Sequence, residues 1–143
     1  MSVSDQADRG PLVGVSIAIT KDNALLLVKR GRGAYRGLWA LPGGHVRTGE
    51  KLADAAGREL REETGIGADI GRRIDVVEIM LANGAAHYVL VVFEGKHLSG
   101  EPVAADDAAE VRWVSAAELP HIPLTPETRQ IIEAHRLPSG RAP

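Results

Sequence analysis

Residues 51–64, KLADAAGRELREET, set the tightest constraint on what this chain can build. The stretch has helix-favouring composition, no proline, apolar positions at Leu52, Ala53, Ala55, Ala56 and Leu60, and Gly65 placed to cap the C-terminus. At about 100° per residue from Leu52, Glu59 falls near −20°, Glu63 near +20° and Glu62 near −80°. These carboxylates continue the face that Leu52, Ala55 and Ala56 begin, while Asp54 and Arg61 lie opposite. Like charges at these spacings each cost a helix about 0.2–0.5 kcal/mol, and acids in the last turns oppose the helix dipole. A solvated helix would pair Asp54 with Arg58 and Arg58 with Glu62, leaving Glu59 and Glu63 in line with the apolar stripe. Burying an uncompensated carboxylate is expensive, and a hard divalent cation would offset it. Oxygen donors of this kind suit Mg²⁺, which takes one or two carboxylates with waters and substrate phosphates. Leu41-Pro42-Gly43-Gly44 brings bare backbone towards this helix, which makes the Gly43 carbonyl a further candidate ligand.

Gly44, Glu50, Arg58, Glu59, Leu60, Glu62, Glu63, Gly65 and Ile66 together fit G-x5-E-x7-R-E-U-x-E-E-x-G-U, with U a bulky aliphatic residue. The chain therefore resembles the Nudix hydrolases. Nine specified positions without a gap make this far more specific than a lone glycine motif. The resemblance implies a cluster of Mg²⁺ ions, with Mn²⁺ as the alternative, on Glu59, Glu62, Glu63 and the Gly43 carbonyl. It implies that Arg58 orients these carboxylates, that Glu50 supports the metal site, and that Arg30, at the end of a strand, touches substrate phosphates. Arg32 and Arg36 in the glycine-rich segment 31–37 are secondary phosphate candidates, since guanidinium groups suit bidentate contacts with phosphate. Family enzymes often take a water-activating carboxylate from a loop beyond the box; of Asp106, Asp107 and Glu110, the expectation settles on Glu110.

The remaining pattern is α/β. Residues 12–20 and 24–29 read as strands joined by a turn at 21–23; 74–81 and 87–94 read as strands joined at Asn83-Gly84; 111–114 is a short strand. Residues 67–73 and 96–105 read as connectors, and Thr125 caps a last helix that Pro126 opens and that runs to about His135. Two hairpins require a mixed sheet, and a mixed sheet between helices matches the Nudix α/β/α sandwich. With 143 residues, 44% of them hydrophobic, the chain suits one domain, taken as 11–136 between an arm at 1–10 and a tail at 137–143.

A net charge of −2 argues against a nucleic-acid polymer as partner, and the absence of cysteine excludes disulfides, thiolate metal sites and cysteine nucleophiles. Without a signal-like N-terminus or a long apolar run, the expectation is a cytoplasmic protein with no membrane partner. Resemblance adds a homodimer and a small nucleotide substrate. The runs HYVLVVFEG and GEPVAADDAAEVRWVSAAEL look like small bacterial ADP-ribose pyrophosphatases, which release AMP and ribose 5-phosphate. The chain departs from one ADP-ribose subgroup, which has a proline where Met80, Leu81, Ala82 and Asn83 stand here. The alternatives are a MutT-like nucleoside triphosphate pyrophosphohydrolase and a non-catalytic nucleotide-sensing module.

Overall fold

The structure, a computed structural model, describes residues 10–138; the arm expected at 1–10 lies outside them except for Gly10, and of the tail expected at 137–143 they include Pro138 and Leu137, which is buried in the core rather than loose. In chain order it contains β1 (Leu12–Lys21), β2 (Ala24–Arg30), β3 (Trp39–Ala40), β4 (Gly43–His45), α1 (Leu52–Thr64), β5 (Gly67–Leu81), β6 (Ala86–Ser99), β7 (Ala108–Ser115) and α2 (Pro126–His135). The sheet order is β3-β2-β1-β6-β5, with β4 added against β1 and β7 against β2. β1 and β6 run parallel and the other pairs antiparallel, so the sheet is mixed.

Strand alternation sorts side chains to two faces. Val15, Ile17, Ile19, Leu26, Val91 and Phe93 pack with Ala55, Ala56 and Leu60 of α1. Ala18, Leu25, Leu27, Val92 and Val114 pack with Ile131 and Ile132 of α2. One helix on each face makes the α/β/α sandwich.

Local chemistry explains the ends of these elements. Asp22 and Asn23 both adopt positive φ, 51° and 60°, which a two-residue turn between right-twisted strands requires. α1 stops at Gly65, whose N–H still reaches the Arg61 carbonyl and whose φ of 75° turns the chain out of the helix. α2 begins as expected: Thr125 Oγ1 accepts from the Thr128 N–H, with Pro126 next in line.

Two expectations fail. Residues 67–73 are the first half of β5 rather than a connector, and β6 continues to Ser99 where a loop was expected from residue 96. The β5–β6 register shifts between Ile70 and Asp75, around Gly71-Arg72-Arg73. This irregularity breaks the period-2 pattern, so only pairing with β6 reveals the strand. Among the described residues, no helix is long and apolar enough to cross a membrane.

Leu60 is fully buried between α1 and the sheet. Leu60→Ala is expected to lower unfolding free energy by about 2–5 kcal/mol, read from urea denaturation. A loss below about 1 kcal/mol would mean that this layer does not hold the box helix.

Candidate active site

β1 and β2 pair only near their shared turn, at Thr20–Leu25 and Lys21–Ala24. Further from the turn they separate, β2 pairing along its length with β7 and the start of β1 with β4. The Ile17 N–H donates to the Pro42 carbonyl (2.9 Å), which sets Gly43 opposite Ser16 and Gly44 opposite Val15. Only glycine fits at 43, where a Cβ would overlap the Val15 carbonyl, and a Cβ on Gly44 would displace the Glu59 carboxylate. The backbone approach expected from sequence is thus achieved by strand pairing.

Arg58 organises the carboxylates. Its Nε and Nη2 donate to the two Glu50 oxygens at 2.7 and 2.9 Å, Nη1 to Glu59 (2.8 Å) and Glu62 (3.0 Å), and Nη2 also to the His45 carbonyl (3.0 Å). Bidentate pairing with Arg58, helped by the Arg47 N–H, holds the Glu50 carboxyl down to about 2. The Arg58 side chain is 13% exposed against 39% for Glu62, so Glu62 is the outer arm and is also within 3.6 Å of Arg47. Asp54, the partner expected of a solvated helix, stays exposed.

Glu63 is different. Its carboxylate accepts the Gly43 N–H (3.1 Å), and among the described residues no cationic group lies within ion-pair distance of it. Burial, reinforced by Glu59 and Asp107 and opposed by the Gly43 N–H and Arg30, pushes its pKa up to about 7. Sequence reasoning left both Glu59 and Glu63 unpaired; Glu59 has Arg58, and the uncompensated carboxylate is Glu63.

These groups open on a cavity of about 730 Å³, lined by Gly43, Glu59, Glu62, Glu63, Arg30 and Arg32. Arg30 donates from Nε to the Ala34 carbonyl (2.7 Å), shaping its own loop. Arg32 is ion-paired with Asp107, whose carbonyl accepts the Gly31 N–H (3.0 Å). Arg36 does not line the cavity, and neither does Glu110, which is exposed on β7 opposite Lys29. The acids brought in from that region are Asp106 and Asp107. The reason is the strand start at Ala108, which turns Glu110 into a ladder position. Asp107 is held instead in the loop that Val103 and Ala105 tie to the Thr64 and Glu63 carbonyls. His45, Tyr88 and Glu127 also line the cavity; only cross-strand register and α2 docking place them there, and no local motif marks them.

Among the described residues, no group of three acidic, histidine or cysteine side chains stands ready around one point for a metal. Arg58 holds Glu59 and Glu62 towards itself. The donor set nevertheless suits a hard cation: Glu63 is half-buried near two more carboxylates, and a divalent ion would offset the desolvation and the repulsion that raise its pKa.

Residues 10–135 match the NUDIX domain family. The chain belongs to that family. Nudix hydrolases generally use divalent metals such as Mg²⁺ or Mn²⁺. The chain is 36% identical over 112 residues to an ADP-ribose pyrophosphatase of Methanocaldococcus jannaschii, covering 78% of this chain and 66% of that protein, slightly under two thirds of its length. It is 34% identical over 116 residues to a putative 8-oxo-dGTP diphosphatase of Bacillus subtilis, covering 80% of this chain and 73% of that one. A MutT NUDIX hydrolase from Burkholderia pseudomallei has a similar structure, with a TM-score of 0.76 at 36% identity over 87% of this chain and 97% of that one. The Nudix sandwich is therefore shared across relatives named for different substrates.

The Glu63 shift has a measurable consequence in metal-free solution. Folded, Glu63 binds its proton more tightly than the ordinary value of 4.5. Its contribution is thus most favourable below about pH 4.5 and is lost as pH rises through about 7. With EDTA present, wild-type stability should fall relative to Glu63→Gln between pH 5 and 8, by on the order of 1–3 kcal/mol given partial exposure. Parallel thermal melts of the two proteins check this; identical pH profiles would mean that the fold does not desolvate Glu63.

Proposed function

We propose that this chain hydrolyses a nucleoside diphosphate linked to another group, with ADP-ribose cut to AMP and ribose 5-phosphate. One observation carries the reading: a half-buried Glu63, without an ion pair among the described residues, lies near Glu59 and Asp107 in the same cavity that Arg30 and Arg32 line. Bound there, one or more divalent ions would polarise the diphosphate and lower the pKa of water. Glu59, Glu62 and Glu63, with the Gly43 carbonyl, are the groups that would hold them. Arg58 positions Glu59 and Glu62 and keeps Glu50 ionised beside them. Arg30, and Arg32 when released from Asp107, bind non-bridging phosphate oxygens. Asp107 accepts the proton of the attacking water as the oxygen adds to phosphorus, and the bridging P–O bond breaks towards the other phosphate. The Methanocaldococcus relative's name supports ADP-ribose as the substrate.

The Bacillus relative favours a second reading, a nucleoside triphosphate pyrophosphohydrolase, in which the same groups release pyrophosphate. Product identity separates the two.

With Mg²⁺, ADP-ribose is expected to give AMP with the highest kcat/KM in a panel that includes normal and oxidised nucleoside triphosphates, and Glu63→Gln is expected to abolish turnover. Preference for a triphosphate with pyrophosphate release would move the function to the second reading. Removing a general base typically costs about 10²–10⁴-fold. Asp107→Asn is therefore expected to lower kcat by about 10²-fold or more, while Glu110→Gln stays close to wild type. Steady-state kinetics on the two variants test the assignment, and the reverse order would return the base to Glu110.

A further inference from the structure

The cavity changes character from one side of β1 to the other. Arg30, at the end of β2, and Asp107 stand on one side, while Ile79 of β5 and Tyr88 and Leu90 of β6 stand on the other. A diphosphate needs only the charged side. The apolar side is left for whatever the diphosphate carries.

That side contains a built aromatic surface. The rings of His45 and Tyr88 lie parallel within 7°, with centroids 5.8 Å apart, and both line the cavity. Strand register produces the pair. His45 is opposite Gly14 on β1, Gly14 is opposite Leu90 on β6, and Tyr88 is opposite Leu12. Gly14 places no side chain between β4 and β6, and a Cβ there would crowd Leu90 at 2.8 Å and the Gly44 carbonyl at 3.1 Å. The imidazole can therefore reach across β1 to the phenol. The backbone of His45 also belongs to the acidic cluster, because its carbonyl accepts from Arg58 and the preceding Gly44 abuts Glu59. The ring pair thus begins one residue from the carboxylates.

We propose that the stacked His45–Tyr88 pair is the platform on which this chain holds the flat base of its nucleotide, making the site selective for diphosphates that carry an aromatic base. This rests on the hydrolase reading and adds a base subsite to it. A ring inserted between two others needs about 7 Å, twice the contact distance of carbon atoms. At 5.8 Å His45 and Tyr88 leave no such gap, so the base stacks on the outer face of the pair. Ile79 and Leu90 supply apolar surroundings, and the phosphates extend from the base towards Glu63 and Arg30.

The test compares AMP with ribose 5-phosphate, which share a phosphate and a ribose and differ in the base. Titration calorimetry with Mg²⁺ is run on wild type, Tyr88→Leu, Tyr88→Trp and His45→Ala, each first shown to be folded by circular dichroism. Base–aromatic stacking is typically worth about tenfold or more in affinity. Wild type should bind AMP at least about tenfold more tightly than ribose 5-phosphate. Tyr88→Leu should remove most of that preference without changing ribose 5-phosphate binding, Tyr88→Trp should retain it, and His45→Ala, at an exposed position, should weaken it. Equal binding of the two ligands by wild type, no detectable AMP binding, or an AMP preference unchanged in both Tyr88→Leu and His45→Ala would overturn the platform. An AMP preference lost in Tyr88→Leu, in a protein that does not cleave ADP-ribose, would keep the platform and remove the ADP-ribose reading instead.

Discussion

The Arg58 guanidinium is shared among three carboxylates and one carbonyl, and the site depends on that sharing. Glu59 and Glu62 would repel each other along one helix face without it, and Glu50, in the loop before α1, would have no reason to dock. A lysine could supply the charge but not the geometry: a planar fork reaches Glu50 in bidentate fashion while a free N–H still faces Glu59 and Glu62. Arg58 also grips the His45 carbonyl, tying β4 to α1. One side chain therefore joins the helix, the loop and the edge of the inserted strand.

The second requirement is backbone proximity. β1 and β2 pair only near their turn, and β4 enters beside the start of β1. Two glycines at the point of entry let the main chain lie against Glu59 and donate an N–H to Glu63. Arg58 neutralises the outer carboxylates, whereas Glu63 receives that neutral donor and only the more distant charge of Arg30, and its pKa is raised. The sandwich surrounds the site with two apolar layers and leaves open a cavity that takes charge from the loops and apolar lining from the sheet.

Much of this was legible because the carrying pattern is local. Glu59, Glu62 and Glu63 were placed on one face by helix periodicity alone, Gly65 marked the helix end, and Thr125-Pro126 marked the last helix start. Glu110 was favoured over Asp107 because an acidic loop before a strand offers several carboxylates and sequence does not say where the strand begins. Its start at Ala108 decides which carboxylate stays in the loop. The first half of β5 was missed for a related reason: a register shift around Gly71-Arg72-Arg73 erased the alternation on which strand reading relies.

The box helix, its acidic face, the glycines before it and the mixed α/β order can all be read from residue spacing, since each follows from a pattern within a few turns or a few strand residues. The partners come from the way the elements pack. Arg58 took Glu50 while Asp54 stayed exposed, Arg32 met Asp107 across 75 residues, and His45 met Tyr88 over Gly14. Those contacts depend on strand register and on which loops the sheet brings together. A side-chain period of two or 3.6 residues fixes the face of an element and says nothing about which distant element will cover it.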